Sequence, residues 1–105
     1  MSDCVFCKII NGDFNTKFVF EDEFSTVFND LNPKAKTHLL VVPKVHVPSL
    51  NECDDELISK LMKTVKTVTK KLGLKSYRTV INTGKGAGQE VFHLHIHVLS
   101  GNIRL

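Results

Sequence analysis

The sequence predicts an α+β domain, and three observations predict it. "VFHLHIHVLSG" (91–101) alternates His93, His95 and His97 with Leu94, Ile96 and Val98, the period-two pattern of a strand. Leu57, Ile58, Leu61, Val65, Val68 and Leu72 recur at helical spacing over one long segment. The other apolar runs are short and are separated by Gly, Pro and charged turns, which favours antiparallel strands with segregated helices. With 105 residues the chain has room for one domain, residues 1–105, and for a real hydrophobic core.

Taken in order, "CVFCKIINGD" places Val5, Phe6, Ile9 and Ile10 at near-helical spacing with Gly12 as a stop, so a short helix is expected. "KFVFEDEFSTVFND" reads as two strands joined by a charged turn at 21–23. "THLLVVPK" is an apolar run closed by Pro43, a buried strand of about five residues. "NECDDELISKLMKTVKTVTKKLGL" is the long helix. Asp54, Asp55 and Glu56 suit its first turn, Lys70 and Lys71 its last, and Gly73 the position after its end. "YRTVIN" is a strand, "TGKGAGQE" a glycine-rich loop, and "VFHLHIHVLS" the last strand.

Composition narrows the function classes. A net charge of +3 suits phosphate-bearing ligands but is no dense basic stripe, and Lys60, Lys63, Lys66, Lys70 and Lys71 read as a solvated helix face, so no nucleic-acid partner is expected. No run approaches the ~18 apolar residues of a membrane span, and "MSDCVFCKII" lacks the pattern of a secretory signal. The expected location is the cytoplasm, with no membrane partner. Three cysteines, Cys4, Cys7 and Cys53, fit no disulfide framework in a reducing compartment, and Cys53 is expected to be inert.

The histidine strand admits three readings from its residues alone: exposed imidazoles on a half-solvated sheet, ligands of a metal, or a nucleophile with supporting imidazoles. Gly84, Gly86 and Gly88 just upstream could turn backbone amides toward an anion beside His93. Cys4 and Cys7, spaced C-x-x-C, make half of a zinc site.

The heptapeptide His93-Leu94-His95-Ile96-His97-Val98-Leu99 matches the signature of the histidine triad (HIT) family. "CKIINGD", "FEDE", "FNDLNPKAKTHLLVVPKVH", "YRTVINTGKGAGQEVFH" and "VLSG" resemble its Hint-like branch in order and spacing, covering essentially residues 4–101. That resemblance implies a five-stranded antiparallel sheet, with a short N-terminal helix and one long helix, and a homodimer whose sheets join into one of ten strands. It implies hydrolysis of purine nucleoside 5′-phosphoramidates and related nucleotidyl conjugates through a nucleotidyl-histidine, with no cofactor for catalysis.

Carried onto this chain, His95 resembles the nucleophile, and its second ring nitrogen is expected to donate to a backbone carbonyl. His93, His97 and His38 resemble the other catalytic histidines. Gln89 resembles the residue whose amide contacts the phosphate, with Asn82, Gly88, Glu90 and Val91 lining that site. Asp30 resembles the acid that accepts the ribose hydroxyls. Val5, Phe6, Ile9, Phe28 and Leu31 resemble the walls of the base pocket. Glu90 stands where some relatives carry a serine that assists the leaving amine. In a subset of the family the C-x-x-C pair joins two histidines around a structural zinc, here Cys4, Cys7, His46 and His93. Two further readings remain beside this one: a nucleotide-binding interaction module with incidental hydrolysis, and a dinucleoside polyphosphate hydrolase. A zinc hydrolase using the histidine strand as ligands lacks a familiar acidic general base nearby, apart from Glu90.

Overall fold

A computed structural model describes residues 4–103. Its elements are α1 (Val5–Ile10), β1 (Phe20–Glu21), β2 (Ser25–Asn29), β3 (Thr37–Pro43), α2 (Asp55–Lys71), β4 (Arg78–Val80) and β5 (Ile96–Ser100). The five strands form one antiparallel sheet in the order β1-β2-β3-β5-β4. The expected α+β architecture of five strands, a short helix and a long helix is present.

Alternation along the strands divides the residues between two faces. Val27, Leu39, Val41, Ile96 and Val98, with Leu94, pack against Leu61, Val65 and Val68 of α2. Each such buried aliphatic side chain contributes about 1.5–3 kcal/mol, so the sheet–α2 contact carries most of the hydrophobic stabilisation. The opposite face carries Phe28, Leu40 and Val42 against Phe6 of α1. α2 begins as its sequence requires: Asp54 is the N-cap, its carboxylate accepting the Leu57 amide at 2.8 Å. Gly73 follows the C-cap Leu72 with φ +70°, a conformation that glycine adopts without strain. Leu72, expected on the apolar stripe, is exposed because α2 ends at Lys71.

The turn between β1 and β2 is fastened to α2 by one carboxylate. Asp22 Oδ1 accepts the amides of Phe24 (2.9 Å) and Ser25 (2.8 Å) and the Ser25 hydroxyl (2.9 Å). The single hydroxyl proton of Thr64 is shared between Asp22 Oδ2 (3.0 Å) and the Lys60 carbonyl (3.1 Å). Burial alone would raise the Asp22 pKa; these donors outweigh it and hold it below the usual carboxylate value. Thr64→Val keeps the shape and removes a buried donor. It is expected to cost about 1–2 kcal/mol, read as a lower urea midpoint at unchanged m.

Three expectations are corrected. β3 is seven residues long rather than about five. The glycine-rich segment contains a 3₁₀ turn, Lys85–Ala87, flanked by Gly84 (φ +89°) and Gly88 (φ +91°). The last strand begins at Ile96, not Val91. Its ladder with β3 stops at Val41↔Ile96, because upstream the main chain is used otherwise. Leu94 donates its amide to Val47 at 2.7 Å, and the His93 carbonyl is taken by the His95 ring. His93 and His95 therefore sit in a bent lead-in to β5, while Leu94 still turns into the core.

Candidate active site

Strand register assembles the site on the α1 side of the sheet. Leu40 pairs with His97 and His97 with Val80; one row along, His38 pairs with Leu99 and Leu99 with Arg78. Asp30, just past β2, donates its amide to the His38 carbonyl at 2.9 Å and so joins the second row. These residues floor a cavity of about 650 Å³. Val5, Phe6, Ile9, Phe28 and Leu31 form its apolar side, and Asn82, Gly88, Glu90, Val91 and His95 its polar side. Leu31, expected as a pocket wall, is 99% exposed and stands at the rim.

Hydrogen-bond partners fix the imidazole tautomers. His95 Nδ1 lies 2.8 Å from the His93 carbonyl, which can only accept, so Nδ1 carries the proton. The lone pair is then on Nε2, which has no partner among the described residues and is not sealed from the cavity. The expected hydrogen bond to a backbone carbonyl is thus present. Phe6 packs edge-on against this ring, centroids 5.0 Å apart at 89°, and His97 at 5.0 Å and 65°.

A second chain of protons begins at Lys34. Its amide donates to His38 Nδ1 at 3.0 Å, so His38 Nε2 holds the proton and donates to His97 Nδ1 at 2.9 Å. His97 must then carry its own proton on Nε2. Burial pushes His97 down to about 4, with the neighbouring His95 and His38 acting in the same direction. Burial also lowers His38, although the Asp30 carboxylate, 3.4 Å from Nε2, pulls it upward. Both rings are therefore neutral near pH 7. Asp30, His38 and His97 bring donor atoms within 4.8 Å of one another, but a cation there would have to displace the proton that the Lys34 amide forces onto His38 Nε2. The arrangement is better suited to a hydrogen-bond chain than to a metal site.

His93, expected among the catalytic histidines, does not line this cavity. It is fully buried, its Nε2–H donates to the Pro43 carbonyl at 2.8 Å, and its Nδ1 lone pair faces two sulfurs. Cys4 Sγ is 3.3 Å and Cys7 Sγ 3.6 Å from that nitrogen, and Cys7 Sγ is 3.4 Å from His46 Nδ1. A tetrahedral zinc with Zn–S near 2.3 Å and Zn–N near 2.05 Å sets sulfur and nitrogen about 3.6 Å apart, so this donor set fits zinc. Its four positions are all protein-filled, and the Cys7 amide points at Cys4 Sγ (3.4 Å), a donor suited to a thiolate at a helix start.

Gln89, expected to contact phosphate, is 3% exposed and is absent from the cavity wall. Its carbonyl oxygen accepts the Gly84 amide (2.8 Å), and its NH₂ donates to the carbonyls of Pro48 (2.8 Å) and Val91 (3.0 Å). With both protons used, the amide closes the glycine loop onto the Pro48 segment rather than reaching the cavity. The cavity also gains residues that sequence patterns did not single out: Thr16, Lys34, Arg78, Val80, Leu99 and Ile103. Arg78 and Val80 alternate along "YRTVIN", but only the register with His97 shows which face they share.

Comparisons with known proteins bear on the family. A family model described as HIT domain matches residues 11–103. "Protein HitA" of Neisseria gonorrhoeae is 47% identical over 103 residues, covering 94% of this chain and 96% of its own. The solved structure of a HIT family hydrolase from Legionella pneumophila is 40% identical, with a TM-score of 0.88, covering 94% of this chain and 93% of that one. A zinc-bound histidine triad family protein from Mycobacterium smegmatis is 31% identical, with a TM-score of 0.87, covering 95% of this chain and 76% of that one.

Proposed function

The chain belongs to the HIT family, and from that premise we propose that it is a hydrolase that cleaves purine nucleoside 5′-phosphoramidates and related nucleotidyl conjugates through a covalent intermediate on His95. The observation that carries this reading is the fixed tautomer of His95. Its Nδ1–H is held by the His93 carbonyl, and its Nε2, on the cavity wall, has no partner among the described residues.

In the proposed reaction Nε2 forms a bond to the α-phosphorus as the P–N bond to the leaving group breaks. The leaving nitrogen keeps that electron pair and takes a proton, for which Glu90 on the cavity wall is the proposed carrier. The His93 carbonyl faces the positive charge that the nucleotidylated ring acquires. Water then attacks phosphorus and gives a proton back to Glu90, the N–P bond breaks with its electron pair returning to Nε2, and the nucleoside monophosphate leaves with His95 neutral again. His97 Nε2–H, Asn82 and the backbone at Gly88 would hold phosphate oxygens. Phe6, Ile9 and Phe28 would flank the base, and Asp30 would accept the ribose hydroxyls. A zinc on Cys4, Cys7, His46 and His93 would supply structure and take no part in these bond changes. The same reading includes a cytoplasmic homodimer joined sheet to sheet, for which β1 and β4 are the edges on offer.

The direct test is to quench turnover of adenosine 5′-phosphoramidate in denaturant and look by mass spectrometry for an adenylylated peptide containing His95. A label on another residue, or none during rapid turnover, would overturn the assignment. The ribose role has its own measurement. Asp30→Asn keeps one acceptor and loses the charge. It is expected to raise KM for the amidate by about 10-fold with a smaller change in kcat, and to reduce the preference for ribo- over 2′-deoxy substrate.

A further inference from the structure

We propose that the Cys4–Cys7–His46–His93 cluster, when it holds zinc, is a positioning device for the nucleophile as well as a structural clip, so that metal occupancy governs how His95 is presented to the nucleotide. This rests on the reading of His95 given above.

The argument begins with the main chain before β5. His93 and His95 lie outside the ladder, so strand pairing does not hold the carbonyl that orients the nucleophile. Of the backbone hydrogen bonds, the Leu94 amide to Val47 (2.7 Å) anchors this stretch. Orientation of the His93 carbonyl depends on the His93 side chain as well. That ring is held at two points: Nε2–H on the Pro43 carbonyl (2.8 Å), and Nδ1 against Cys4 and Cys7. A cation bound by Nδ1 would also exclude the tautomer with its proton there, and so would preserve the Nε2–H donated to Pro43. The carbonyl of the same residue receives His95 Nδ1–H at 2.8 Å. One link from the cluster to the nucleophile therefore passes through His93 alone.

A second link runs through α1. This helix has six residues, too few to be stable alone, and its one buried side chain is Phe6. Cys4 and Cys7 bracket Phe6 in sequence. Phe6 packs edge-on against His95 (5.0 Å), His93 (5.9 Å) and Phe28 (5.8 Å). Tying both cysteines to His93 fixes the wall that confines the His95 ring and flanks the proposed base site. His93 is thus a positioning residue, and the metal set is its anchor.

The test follows zinc through a titration of stripped protein at a fixed neutral pH, with two readouts. Two-bond 1H–15N spectra report the His95 tautomer, and rapid-quench kinetics report adenylylation of His95. With zinc, His95 is expected to be wholly Nδ1–H. Without zinc, the second tautomer should appear and adenylylation should slow by about 10- to 100-fold, both reversing on re-addition. If stripped protein loses its sheet by circular dichroism, His46→Gln provides the other arm, because His46 reaches Cys7 whereas both cysteines face the His93 ring directly. It should require more zinc, yet at saturation regain the wild-type tautomer and rate. The proposal is overturned if the protein takes up no zinc, if tautomer and rate ignore zinc in folded protein, or if saturated His46→Gln fails to regain them. The tautomer spectrum needs no turnover, so a failure of the hydrolase reading remains distinguishable.

Discussion

His95→Ala is expected to lower AMP release from adenosine 5′-phosphoramidate on the order of 10⁴-fold, while AMP still binds within a few-fold of wild type. The size follows from the lack of a substitute among the neighbouring imidazoles. His97 Nδ1 is occupied by the proton of His38, and its Nε2 is protonated. His93 spends Nε2–H on Pro43 and turns Nδ1 to the cysteines. Neither ring has a lone pair facing the cavity. Binding survives because the apolar wall and Asp30 belong to other elements. The measurement is chromatographic AMP release beside AMP affinity by calorimetry, with circular dichroism confirming the fold. Activity within 10-fold of wild type would assign the nucleophile elsewhere or replace it by water. Metal-dependent hydrolysis would instead leave zinc-loaded His95→Ala active, so the variant is assayed with zinc present and with zinc removed.

Much of this site was legible in the sequence because its signals are periodic or spaced. Alternation through 93–98 sent Leu94, Ile96 and Val98 to the α2 core and the three histidines to the other face, where His95 and His97 line the cavity while His93 turns to the cysteines. The C-x-x-C spacing identified Cys4 and Cys7, and the resemblance supplied His46 and His93 as their companions. What stayed hidden depends on the main chain. No residue pattern shows that the last strand begins only at Ile96, that the Pro43 carbonyl claims His93, or that the Lys34 amide sets the His38 tautomer. Gln89 shows the same limit from the opposite side. An amide beside a glycine loop suggests a ligand contact, yet three backbone partners satisfy it within the fold. Arg78 was missed because a three-residue edge strand has too little alternation to reveal which face it presents.

The hydrogen-bond chain that readies His97 makes the fold sensitive to acid, and the direction can be worked out. An unfolded histidine titrates near 6.5, whereas folded His97 is held down to about 4. Above pH 6.5 both states are neutral there and His97 contributes no pH dependence. Below it the unfolded chain takes up a proton that the folded ring resists, so stability falls until the pH passes about 4, where the loss levels off. His38 is displaced in the same direction, and protonating it would also set two donors, its own Nδ1–H and the Lys34 amide, against each other. The half-buried His97 ring feels partial solvent screening, so its share is about 2 kcal/mol. Asp22 acts in a lower window: its stabilisation is present above the ordinary carboxylate pKa and is lost as the pH falls through its depressed folded value. Urea unfolding of wild type is therefore expected to weaken by at least ~2 kcal/mol between pH 6.5 and 4 from this chain. His97→Asn, which retains an acceptor for His38 and cannot titrate, should lose correspondingly less over that interval. Equal acid sensitivity in both proteins would show that His97 is not held neutral by its surroundings and would remove the chain from the account of the site.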